Sequence, residues 1–264
     1  MLVAGLAGTL TTKIDKIMLG YFDTLSNVGI YTIAITIGNV LGVIGGSVLR
    51  IAHPKISQAW EDDNLKEIDS IYKRTANLQI YLGLFVFALL FFFSDDILLF
   101  LGDNYIEGYY VLIFIALGQL INISAGMCGG IIGFSNFYKF DFYARLVLIV
   151  INVIMNYLLI PSYGMLGAAI ATAFSLGMYN ILKVLFVYYK FSLQPYNLEV
   201  VKIFASFVIT SGMLYLFNIN YNNLSIIYII LISVSSFVIY NIILIFFFKS
   251  KSVNLDLLKT FMKK

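Results

Sequence analysis

The sequence predicts an all-α, polytopic membrane protein with about eight transmembrane helices. Three observations predict it. The 264 residues are 61% hydrophobic and 12% charged, with a mean hydropathy of +0.92, whereas soluble domains average roughly 45–50% apolar and about 25% charged. The apolar stretches are long, as in AIATAFSLGMYNILKVLFVYY, and a helix needs about 20 such residues to cross the hydrocarbon. The basic residues fall on alternate connections along the chain. A closed β-barrel would instead show alternating segments of about ten residues.

The spans follow from apolar length and from the breakers between them. The first is Leu2–Phe22 and the second Val28–Leu49, separated by DTLSN. The third is Ala76–Phe93 and the fourth Tyr109–Phe134, with SDDILLFLGDNYIEG between. Leu146–Ile160 and Leu166–Tyr188 are the fifth and sixth, joined by a very short connection. There Pro161 ends a helix, because it lacks an N–H and clashes with the preceding turn, and Gly164 lets the chain reverse. Val200–Phe217 and Ser225–Phe248 complete the set.

Fifteen of the 17 Lys and Arg lie on one side of this arrangement. They are Arg50, Lys55, Lys66, Lys73 and Arg74 around the second connection, and Lys139 and Arg145 around the fourth. Lys183, Lys190 and Lys202 flank the sixth, and Lys249, Lys251, Lys259, Lys263 and Lys264 lie in the tail. The opposite connections have none. The positive-inside rule makes the basic side cytoplasmic, and an even span count puts both termini there. The first span begins at Met1 without a charged flank, so the chain reads as the continuation of something larger.

Within the second connection, Asn64 with Glu67 three residues on has the form of a capping box. Leu65, Ile68, Ile71 and Tyr72 then repeat at helical spacing, so the third helix starts before the membrane. That segment reads as a solvated connector with one apolar side, or as a docking helix. His53, before Pro54, reads as an interface residue at a helix end.

Enzyme chemistry lacks its residues. One His and one Cys make no zinc set, and no GxSxG or Walker sequence appears. Cys128 has no intrachain partner. Asp95, Asp96, Asp103 and Glu107 read as a solvated acidic loop, with a divalent-ion site as the alternative. No cofactor is expected. No basic face with interleaved aromatics marks a nucleic-acid partner.

Three segments carry a family resemblance. Asn152–Ser175 (NVIMNYLLIPSYGMLGAAIATAFS) is similar to a recurring segment of polysaccharide flippases, through Asn152, Asn156, Pro161, Gly164, Gly167, Ala168, Ala169 and Thr172. These flippases belong to the multidrug/oligosaccharidyl-lipid/polysaccharide exporter superfamily. Lys13–Ala34 resembles the start of that family's second lobe, through Asp15, Gly20, Gly29, Tyr31 and Ala34. Leu101–Leu120 is a third, weaker match. The resemblance implies two six-helix lobes related along the membrane normal, a parallel-repeat plan. This chain would supply the second lobe (1–190), then a final helix pair and a basic cytoplasmic tail (191–264). The implied function is translocation of an isoprenoid diphosphate-linked oligosaccharide across the bacterial cytoplasmic membrane. The partners would be that substrate, membrane lipid, and a missing N-terminal lobe or second chain. A multidrug/cation antiporter of the same superfamily is the alternative. A membrane polymerase or ligase is a further one, weakened by outer connections that hold no Lys, Arg or His.

The candidate substrate-binding residues are Lys13, Lys16, Asp15, Gln119, Asn122, Asn152 and Asn156. On a helix, Thr9, Thr12, Lys13, Lys16 and Gly20 share one narrow face, and Asp15 lies off it. Ionisable groups inside a membrane face an interior or a wet cavity. A lysine stripe there suits a diphosphate, for which ammonium groups are point-charge binders. Snorkelling to an interface is the structural alternative for the lysines. Pairing with a lysine on a neighbouring helix is the alternative for Asp15. For the four amides, interhelical hydrogen bonds compete with a saccharide path.

Overall fold

The computed structural model describes residues 13–220 and 226–242. Thr9, Thr12, the start of the first span and the basic tail lie outside the described residues. The described chain is helical from end to end, and its helices pack side by side.

α1 (Ile14–Phe22) ends where Asp23 takes an extended backbone. Asp23 Oδ1 accepts from Thr24 N at 2.7 Å and from Asn27 Nδ2 at 2.7 Å. Thr24 Oγ1 then caps the next helix through Asn27 N at 3.3 Å, so the DTLSN turn is held by its own side chains. α2 (Leu25–Gly38) runs through Asn39 into α3 (Val40–Glu61). Together they replace the single span expected over Val28–Leu49. Helix continues past His53 and Pro54, which therefore do not mark a helix end; His53 is exposed, edge-on to Phe134.

α4 (Leu65–Leu101) begins at the expected capping box. Glu67 N donates to Asn64 Oδ1 at 3.1 Å, and Asn64 Nδ2 reaches Glu67 Oε2 at 3.3 Å. Ile68, Ile71 and Tyr72 are buried, while Leu65 stays exposed. The helix also runs on through Asp95 and Asp96, well beyond Phe93, to Gly102 at φ 137°. A 3-10 turn, Asp103–Gly108, follows.

α5 (Tyr109–Ser124) and α6 (Cys128–Phe134) replace the fourth expected span. The break is Gly126, at φ 57°, a conformation that an L side chain adopts only at a cost. A Cβ at Gly126 would also lie 2.9 Å from that of Ala76, so this glycine serves both the turn and the contact with α4.

α7 (Tyr138–Phe191) is two helical arms joined at Gly164, with φ 53° and ψ −134°. Pro161 lies inside the first arm rather than ending it; the reversal needs the positive φ that Gly164 supplies. The arms run antiparallel. Asn152 meets Thr172, Tyr179 meets Asp141, and the rings of Phe140 and Phe186 stack with centroids 3.8 Å apart. Gly167 brings the second arm against the backbone of the first, where a Cβ would sit 3.0 Å from Ile160 N. Close approach through small residues is how membrane helices associate without a hydrophobic drive between them.

Ser192 closes α7 in the left-handed conformation. α8 (Leu198–Asn220) and α9 (Ile226–Ile242) follow and pack on α4. Tyr240 stacks on Tyr81 at 5.1 Å, and Tyr81 Oη donates to Asn241 Oδ1 at 2.6 Å.

Four stretches among the described residues are long and apolar enough to cross a membrane: Leu25–Glu61, Leu65–Leu101, Asp103–Ser124 and the doubled Tyr138–Phe191. The turns at Asp23, Asp103–Gly108 and Gly164 gather at one end, the acidic end. The α3–α4 connection, α6 and the outer ends of the α7 arms gather at the other, the basic end. Each half has its own core. Leu19, Tyr31, Leu98, Leu112, Ile160 and Ala168 belong to the acidic half; Ile56, Ile68, Tyr72, Met127, Ile132 and Val187 belong to the basic end.

Candidate functional site

α1 presents two different sides. Asp15 and Leu19 are buried, four residues apart. On the other side Lys13 and Gly20 are exposed and Lys16 is half-buried. Among the described residues neither lysine forms an ion pair. The arrangement keeps Lys13 exposed and Lys16 half-buried on a side of α1 that the described residues leave largely open.

Asp15, 2% exposed, pairs with no lysine of a neighbouring helix. Its Oδ2 accepts from Tyr31 Oη at 2.6 Å, and its Oδ1 from the backbone N–H of Lys16 at 2.9 Å. A phenol therefore takes the place of the expected cation, sixteen residues along on α2. Thr172, on the second arm of α7, lies near the Tyr31 hydroxyl. Asn152 Nδ2 donates to Thr172 Oγ1 at 3.3 Å, and Asn156 Nδ2 donates to Asn152 Oδ1 at 3.0 Å. Two hydrogen-bonded sets, Asp15–Tyr31 on α1 and α2 and Thr172–Asn152–Asn156 on the two arms of α7, thus lie near each other. The second set ends on Asn156 Oδ1, which is buried with no partner.

Gln119 and Asn122 belong to a second polar chain. Gln119 Nε2 donates to Asn39 Oδ1 at 2.8 Å, at the junction of α2 and α3. Asn122 Nδ2 donates to Gln119 Oε1 at 3.3 Å, and Asn180 Nδ2 donates to Asn122 Oδ1 at 3.0 Å. Of the expected site residues, Asp15, Asn152 and Asn156 thus come together, Gln119 and Asn122 form a separate ladder, and Lys13 and Lys16 face away from both. Asn39 and Asn180 were not singled out from the sequence.

A third group lies at the basic end. Lys183, placed beside a solvated connection by charge counting, is only 7% exposed. Its Nζ lies 4.0 Å from the centroid of the Tyr179 ring. Tyr179 Oη donates to Asp141 Oδ1 at 3.0 Å, and Arg145 Nε donates to Asp141 Oδ2 at 2.9 Å. Asp95, Asp103 and Glu107 are exposed, and among the described residues no three His, Cys, Asp or Glu side chains converge as a metal group.

With this geometry in view, the comparisons with known proteins can be placed. The MatE family model matches residues 1–158. The capsular polysaccharide biosynthesis protein CapF of Staphylococcus aureus is 26% identical over 169 residues, 64% of this chain and 43% of CapF. The probable low-salt glycan biosynthesis flippase Agl15 of Haloferax volcanii is 26% identical over 181 residues, 68% of this chain and 38% of Agl15. The probable flippase AglR of the same organism is 26% identical over 174 residues, 65% of this chain and 37% of AglR. The chain thus spans about two fifths of these relatives' lengths. Among solved structures, the lipid II flippase MurJ in an inward closed conformation superposes with a TM-score of 0.76 at 19% identity, covering 91% of this chain and 51% of MurJ. The fold is therefore that of half of a two-lobe flippase, in a multi-pass membrane protein. The chain belongs to the MatE family.

Proposed function

From that membership, we propose that the chain forms one lobe of a flippase for isoprenoid diphosphate-linked oligosaccharides. Residues 1–190 make the second six-helix lobe, and 191–264 make a final helix pair with a basic tail. The eight spans place the basic end and both termini of this chain on the cytoplasmic side. The observation that carries the reading is the two-sided α1. Asp15 is fixed inward by Tyr31, so Lys13 and Lys16 are turned outward, towards the space a second lobe would close. There they bind the diphosphate, which needs positive charge in a place of reduced dielectric. One relative named for capsular polysaccharide biosynthesis and one for low-salt glycan biosynthesis support the substrate class, and two named as probable flippases support translocation. Transport follows by alternating access, the lobes rocking about the substrate.

Within this scheme Asp15, Asn152 and Asn156 support α1 from behind, and the Gln119–Asn122 ladder holds the α2–α3 junction. A second reading, a cation antiporter, draws on the buried Asp15 and its oxygen-rich surroundings. One experiment separates them. The chain, expressed with a complementary first lobe, is placed in cells that lack their own oligosaccharide flippase. Restored surface polysaccharide, reduced about tenfold by Lys13→Gln with Lys16→Gln as loss of charge-assisted phosphate contacts implies, is the expected result. Cationic-dye resistance without polysaccharide would replace the flippase with the antiporter.

A further inference from the structure

Lys183 is the one charged side chain among the described residues that is both buried and without a direct hydrogen-bond or ion-pair partner. Its ammonium carries three donors and rests on the face of Tyr179, 4.0 Å from the ring centroid. Gly129 lies beside it, where a Cβ would be in ordinary contact with Nζ at 3.7 Å. Cys128 and the Asp141–Arg145 pair are its polar surroundings. A buried ammonium without acceptors is expensive to keep, and nothing in the reading above uses it.

The nearest acid explains the arrangement. Asp141 is committed on both oxygens, to Arg145 at 2.9 Å and to Tyr179 Oη at 3.0 Å. Arg145 and Asp141 lie one turn apart on the first arm of α7, and the Arg145 side chain is 50% exposed. Its grip on Asp141 is therefore solvent-screened and weak. Lys183 approaches the same acid from the second arm, across the ring that hydrogen-bonds it. Two cations thus compete for one carboxylate, and in this structure the exposed one holds it.

We infer that Asp141 is an exchangeable counter-ion, which Arg145 holds in this state and Lys183 takes over in another state of the protein. The exchange converts a pair within one arm into a pair between the two arms, so it alters how the hairpin closes on α6 at the basic end. Its place in a transport cycle rests on the flippase reading; the exchange itself does not.

The native thiol supplies the probe. Cys128 is the one cysteine in the sequence, and it is buried beside Lys183. Departure of the lysine towards Asp141 takes away one of its neighbours, and the exchange is expected to show as faster reaction of this thiol. The experiment measures the rate at which N-ethylmaleimide labels Cys128 in the full chain in lipid nanodiscs. Arg145→Gln, which releases Asp141 to Lys183, should raise the rate about tenfold, the shift that roughly 1.4 kcal/mol in an opening equilibrium produces. Adding Asp141→Asn to that variant removes the acceptor and should return the rate to within about twofold of the parent. An unchanged rate in Arg145→Gln overturns the exchange. So does a double variant that labels as fast as the single one, because general loosening would then explain both. Should Arg145→Gln not purify, Arg145→Lys, which replaces a planar fork by a point charge, should raise the rate in the same direction and be reversed by Asp141→Asn. The expected labelling pattern in a protein that moves no lipid-linked saccharide keeps the exchange and removes the flippase reading; translocation without the pattern does the reverse.

Discussion

Asp15 and Lys183 are both buried, 2% and 7% exposed, yet the molecule treats them differently. Asp15 in the acidic half has a phenol at 2.6 Å and a backbone N–H at 2.9 Å, and the phenol ties α1 to α2. Lys183 at the basic end has an aromatic face and no acceptor. A satisfied buried charge fixes its surroundings, because every alternative leaves it unpaired at a cost of several kcal/mol. An unsatisfied one has something to gain by moving. The comparison therefore divides the bundle into a half built to hold α1 in one orientation and a corner built to change partners.

Four substitutions can break or sharpen this division, each read by chemical unfolding of the purified chain in detergent. The largest effect belongs to Tyr31→Phe. It strips Asp15 of its phenol inside the core and should cost about 3 kcal/mol, the range for a buried charge that loses its partner; a loss under about 1 kcal/mol would mean that water reaches Asp15. Next comes Gly126→Ala, which forces a side chain into φ 57° and against Ala76. Strain of this kind costs about 2 kcal/mol, and it should fall on the junction of α5 and α6. Asn64→Ala removes the cap of α4 and should cost about 1 kcal/mol. Smallest is Lys183→Met. Replacing a buried, unpaired ammonium by an apolar chain of similar length should change stability by less than about 1 kcal/mol or raise it. A loss as large as that of Tyr31→Phe would erase the contrast between the two regions.

The sequence was most informative where physics is local. The excess of apolar residues sets the class, and Asn64 with Glu67 sets the start of α4, because a capping box needs only four residues. Lys13, Lys16 and Gly20 separate from Asp15 by helical geometry alone, and the exposure of α1 follows the same division. Non-local features were hidden. Nothing in a charge-free run from Tyr109 to Phe134 announces that Gly126 will take a positive φ; that turn lies against Ala76 on another helix. Gly164 was legible as the reversal, but Pro161, read as ending the fifth helix, stays helical, since a proline near a helix end can do so while a positive φ cannot. Asp15 was expected to seek a cation, because charge is what a sequence displays; a phenol sixteen residues away offers no such signal. Lys183 was counted with the basic side at the end of the sixth span, and its burial was not foreseen. Counting charges by connection ignores that the α7 hairpin folds the ends of its arms against each other and against α6.

The central claim is that α1 presents its lysines to a diphosphate-linked saccharide that this lobe helps to move. Its most direct test is translocation in proteoliposomes containing the chain with a complementary first lobe and a fluorescent polyprenyl-diphosphate oligosaccharide, scored by the fraction of label that an external reductant quenches. The account predicts quenching well above that of protein-free vesicles, and a drop close to that baseline for Lys13→Gln with Lys16→Gln while the unfolding transition stays in place. Equal quenching with and without the two lysines would contradict it.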